Sequence, residues 1–145
     1  MSYLLTKAGA VTDWLVDNLT ASPDLDGVQV TEAWVQPDRE SIVIGDATME
    51  QDWMALGART RSEDVTVIIW VAVLRPGDTA QDARIRAEEL GGFIASVLRA
   101  TPQTISLDGL CSHTSLLAVS RDYLQLDDGT GCQLKVSLTA HNVRF

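Results

Sequence analysis

The run "VTVIIWVAVL", Val65 to Leu74, holds no charged residue. On an extended chain Val65, Val67, Ile69, Val71 and Val73 share one side, and Thr66, Ile68, Trp70, Ala72 and Leu74 share the other. Both sides are apolar, as in a strand covered on both faces. The run is too short to cross a bilayer as a helix, which takes about 20 apolar residues. The rest of the chain must therefore build layers around this strand.

The flanking segments supply the layers. Leu4, Ala8, Val11, Leu15 and Leu19 recur at helical spacing, and Ser22-Pro23 ends that helix because a residue before proline is pushed out of helical angles. "GVQVTEAWV", Gly27 to Val35, reads as a strand and "SIVIG", Ser41 to Gly45, as a second one, with "QPDRE" as a hairpin loop between them. Asp46 to Ser62 shows no clean period and reads as a long loop with room for one helical turn, a kind of segment that is usually functional or mobile. After the apolar strand comes the turn "RPGD". Asp78, with Gln81 three residues on, suggests a capping box for a helix whose apolar stripe is Ala83, Ala87, Leu90, Ile94 and Val97. Gly91-Gly92 inside that helix costs about 1 kcal/mol per residue relative to Ala, and close approach of a neighbour would explain the pair. Thr101-Pro102 ends the helix.

"SLLAVSRDYLQL" and "CQLKVSLTAHNVRF" then read as a hairpin across "DDGTG". In its last strand Cys132, Leu134, Val136, Leu138 and Ala140 alternate with Gln133, Lys135, Ser137, Thr139 and His141, one face on a core and one face wet. The expected fold is a single α+β domain over residues 1–145, of order α-β-β-β-α-β-β. It has a mainly antiparallel sheet with two α-helices packed on one face. On the other face Ile68, Trp70 and Leu74 need cover from the hairpin or from a second subunit.

Length and charge narrow the partners. A chain of 145 residues suits one domain and buries enough surface to fold without a disulfide or metal. Its formal net charge of -9 and the absence of a Lys/Arg cluster argue against tight binding to nucleic acid or to an anionic membrane. "MSYLLTKAGA" has no signal-peptide pattern, and Cys111 and Cys132 are expected as reduced thiols of a cytosolic chain.

No catalytic or cofactor constellation emerges. A zinc set of Cys111, His113, Cys132 and His141 fails because Cys132 and His141 point to opposite faces of one strand, and close Cys pairs are missing. His113 and Ser115 lie near each other, but no Gly-x-Ser-x-Gly elbow accompanies them. "LDDGTG" lacks the other ligands of a calcium loop and the lysine of a phosphate loop, and a hairpin turn accounts for it. Trp34, Trp53, Arg59 and Arg61 are residue types enriched at interface hot spots, although sheet core for Trp34, local loop packing for Trp53 and solvation for the arginines are the commoner readings of each taken singly.

The segment Gly57 to Pro102, "GARTRSEDVTVIIWVAVLRPGDTAQDARIRAEELGGFIASVLRATP", resembles the tail terminator (tail completion) proteins of long-tailed bacteriophages. The features that carry the resemblance are Gly57, Arg59, Arg61, the acidic pair Glu63-Asp64, the apolar strand, Gly77 and the helix ending at Arg99. The leading helix and terminal hairpin fit the family's order too. The motifs are patterns of residue type, and neighbouring head-tail connector (neck) proteins share them. The resemblance implies a virion protein without enzymatic activity or cofactor, assembled in the bacterial cytoplasm. Its partners would be further copies of itself in a hexameric ring, the tail tube protein and the head-side connector. Genome DNA would pass through the ring without specific binding, helped by an acidic lumen. On this view Trp53, Arg59, Arg61, Glu63 and Asp64 are the candidate subunit or tube contacts. The competing class is a small-ligand-binding or enzymatic α+β domain, which would need a concave pocket with converging polar groups.

Overall fold

A computed structural model describes residues 5–36, 39–51 and 62–144. The fold is α+β: a five-stranded mixed sheet of order β1-β2-β3-β5-β4 with two main helices on one face. The elements are α1 (Ala8–Ala21), β1 (Gln29–Glu32), β2 (Glu40–Gln51), β3 (Ser62–Val73), α2 (Ala80–Arg99), a short α3 (Pro102–Ile105), β4 (His113–Leu126) and β5 (Gly129–Arg144).

The apolar run is the core of β3, the central strand. Val65, Val67, Ile69, Val71 and Val73 are fully buried beneath the helices. Ile42 and Ile44 of β2 lie beside Val71 and Ile69, and Val136 and Leu138 of β5 lie opposite Ile69 and Val67. Val11, Leu15 and Leu19 of α1 and Ala83, Ala87, Leu90 and Ile94 of α2 close this layer. The stripe of α2 continues to Leu98, which is buried, while Val97 packs at its margin. Gly91 fits that packing, since a Cβ there would meet Leu134 Cδ2 at 3.2 Å.

The expected hairpin around "QPDRE" is replaced by a parallel pair, with Gln29 beside Ser41 and Glu32 beside Ile44. β1 ends after four residues, where Ala33 takes a left-handed backbone (φ 61°) and donates its N–H to Ile44 O at 2.9 Å. Parallel neighbours usually need a crossover of a dozen or more residues. Here β1 has only four residues, and β2 begins at Glu40.

The expected long loop is a strand in its first part. β2 runs on to Gln51 through a bulge between Ile44 and Ala47, and β3 begins at Ser62. The lack of a clean period follows from the bulge at Gly45-Asp46, which shifts the alternation by one residue. The cap of α2 also differs: Thr79, not Asp78, accepts from Asp82 N, at 3.2 Å. Asp78 instead pairs with Arg75 at 2.8 Å and accepts from Thr130 N at 2.9 Å, seating the β4–β5 turn on the β3–α2 turn. That contact needs glycine. Gly129 has φ 122°, and a Cβ there would lie 2.9 Å from Asp78 O.

Candidate interaction surface

The outer face of the sheet is partly open. Thr66, Ile68 and Trp70 of β3 and Lys135, Ser137 and Thr139 of β5 are half-buried there. Part of the cover comes from the chain itself. The Lys135 ammonium sits 5.4 Å from the Trp70 ring centroid, and the same indole packs over Gly45, where a Cβ would meet Trp70 Cδ1 at 3.5 Å. Thr66 and Thr139 hydroxyls bond across the strands at 3.1 Å. Leu74 packs against Gly131.

Of the sequence-derived contact residues, Trp53, Arg59 and Arg61 lie outside the described residues. Glu63 faces inward and is 2% exposed. Its Oε1 accepts from Thr6 Oγ1 at 2.7 Å and from Lys7 N at 2.5 Å, and its Oε2 accepts from Gln51 Nε2 at 2.8 Å. The carboxylate thus sits at the N-terminus of α1, where free N–H groups and the helix dipole favour negative charge. Glu63 belongs to the intrachain scaffold. Asp64 is half-buried, and its Oδ1 accepts from Asn142 N at 2.8 Å, which holds Asn142 in a left-handed conformation (φ 60°). Asparagine tolerates that region better than most residues.

Trp34 was the sequence candidate with two readings, sheet core or interface. It stands beyond the end of β1 and is 77% exposed. Together with Trp70, Glu32, Asp46, Ser41 and Gln133 it lines a cavity of about 370 Å³. Ser41 Oγ is fully buried there and has no hydrogen-bond partner.

At the opposite margin β4 is an edge strand of fourteen residues. It pairs with β5 on one side and presents exposed Leu117, Val119 and Tyr123. Helix α2 meets it through the Glu88–Arg121 ion pair at 3.5 Å but does not cover its length. A groove of about 450 Å³ remains between them, floored by Leu116, Ala118, Leu134 and Val136 and rimmed by Glu88, Arg99 and Arg121. Long edge strands with apolar side chains are ready templates for another chain, although the bulge between Ala118 and Ser120 and the charged Arg121 and Asp122 blunt part of this edge.

The remaining chemistry is structural. Arg86 grips Glu40 through Nε at 2.5 Å and Nη2 at 3.1 Å, tying α2 to the start of β2. Hydrogen bonding to Arg86 holds the Glu40 carboxyl below its usual pKa. A polar cleft of about 530 Å³ lies beside this pair, and Arg75 and Arg86 in its wall are already matched by Asp78, Glu40 and Glu89. Burial pushes the Cys111 thiol up to about 11 and raises that of Cys132, so both are poor nucleophiles at neutral pH. Cys132 is in the core and His141 on the outer face, as their odd spacing required. His141 stacks on His113 at 4.4 Å, and its Nε2 lies 2.9 Å from Ser115 Oγ. Sequence proximity had paired Ser115 with His113; the β4–β5 register supplies His141 instead. Among the described residues no group of three or more His, Cys, Asp or Glu could hold a metal, and no helix is long and apolar enough to cross a membrane.

No known protein family's model matches the chain, and no curated protein is significantly similar to it.

Proposed function

We propose that this chain is a structural subunit of a long-tailed bacteriophage virion, located at the head-proximal end of the tail. Copies of it form a ring that caps the tail tube, stops tube polymerisation and meets the head-side connector. The observation that carries this reading is the uncovered β4 margin: a long edge strand with Leu117, Val119 and Tyr123 exposed beside an apolar groove. Such a margin suits permanent association better than a monomer's life in solution. The resemblance of Gly57 to Pro102 to the tail terminator family underlies the reading. The acidic balance of -9 suits a channel along which DNA slides without sticking. Electron microscopy of the purified protein in negative stain tests the reading. Closed rings with a central channel are expected, and a field of compact single-domain particles at every concentration would refute it.

A further inference from the structure

We propose that the cavity at the end of β1 is a guanidinium site, and that it receives Arg99 from a second copy of this chain; the inference rests on the ring-forming reading. The cavity combines two indoles, Trp34 and Trp70, with two carboxylates, Glu32 and Asp46. Among the described residues neither carboxylate has an ion pair. A guanidinium is planar, stacks on aromatic faces, bonds carboxylates in fork geometry and is more weakly hydrated than an ammonium. Lys135 already occupies the Trp70 ring, so Trp34 and the two carboxylates supply most of the attraction. Ser41 Oγ adds an independent sign. It is fully buried, unpartnered and lines the cavity, and an incoming N–H would relieve the cost of leaving such a group unpaired.

The donor is argued from the opposite margin. Arg99 is exposed in the last turn of α2, has no ion pair among the described residues, and rims the apolar groove beside β4. Arg99 stands at the end of α2, on the helix-covered side of the sheet, whereas Trp70 and Gln133 of the cavity lie on the outer face, so Arg99 does not fill the cavity of its own chain. Joining unlike margins of successive copies is a head-to-tail contact, the kind that closes into a ring. The uncovered cavity, Arg99 and the β4 edge then meet in one interface, with an aromatic and an arginine at its centre.

The test is a charge swap within one chain, read as the oligomer's dissociation concentration by light scattering after size exclusion. Asp46→Arg and Arg99→Glu are made singly and together, with thermal melts to show that each folds. Both positions are exposed, so wild-type-like melting is expected. Each single variant should raise the concentration for half-assembly by about tenfold or more, and the double variant should return to within about threefold of wild type. A third variant, Trp34→Ala, should weaken assembly without a matching loss of melting temperature. Single variants that assemble like wild type, or a double variant no better than the worse single, would overturn the Arg99 contact and leave the ring standing. A wild-type chain that stays monomeric throughout would overturn both.

Discussion

Replacing Glu63 by alanine removes a buried carboxylate that serves three donors from two segments of the chain: Thr6 Oγ1 and Lys7 N before α1, and Gln51 Nε2 at the end of β2. Each hydrogen bond to a charged group contributes roughly 1.5–3 kcal/mol, and an acid at a helix N-terminus a further 0.3–1 kcal/mol or so. The terms overlap, because Gln51 can turn to solvent and still donate to Leu5 O. A net loss of about 3 kcal/mol is therefore expected. With about 2.1 cal/mol/K of unfolding entropy per residue, a chain of 145 residues loses roughly 10 °C in Tm for that change. Differential scanning calorimetry at pH 7 measures it directly. Glu63→Gln should fall between wild type and alanine: its amide oxygen still accepts from Lys7 N, but its NH2 opposes the Gln51 amide. A Glu63→Ala melting point within about 2 °C of wild type would show that the carboxylate does not anchor α1. An unchanged melt with lost assembly would return Glu63 to the interface.

Four shorter predictions accompany it. Ile69→Asp places an unpaired charge at a fully buried position of β3 and should abolish the cooperative thermal transition, followed by circular dichroism. Gly131→Val drives a Cβ to 2.9 Å from Val73 O and from Leu74 Cδ2, and should cost about 1–3 kcal/mol in urea unfolding. Glu40 has a folded pKa below its unfolded value, so its bond to Arg86 stabilises above about pH 4.5 and is lost as pH falls through the depressed value. Glu40→Gln should therefore cost about 1–2 kcal/mol at pH 7 and show a flatter loss of stability in acid. Finally, Arg59→Glu with Arg61→Glu should leave a folded chain that no longer assembles, seen as a wild-type melt with a monomeric elution volume.

The parts of the fold legible in the sequence are those whose signal is periodic. The helical spacing of Val11, Leu15 and Leu19, the two apolar faces of Val65 to Leu74 and the alternation from Cys132 to Ala140 all correspond to elements of the structure. What stayed hidden depends on pairing. Whether Gln29 lies beside Ser41 or opposite Glu40 leaves the same pattern of residue types, so the parallel β1–β2 pair could not be read. The bulge at Gly45-Asp46 broke the alternation of β2 and made half a strand look like a loop. The cavity joining Trp34 to Trp70 depends on that same pairing, and Glu63 meets Thr6 across a separation of 57 residues. An acidic pair next to a strand reads as surface, and no local pattern tells that one carboxylate turns inward to a helix end.

Native mass spectrometry of the purified chain, over a range of concentrations and without added partners, addresses the ring most directly. A discrete hexamer with no bound small molecule is the expected result. A monomer carrying a stoichiometric small molecule would contradict it and place the chain among ligand-binding or catalytic domains.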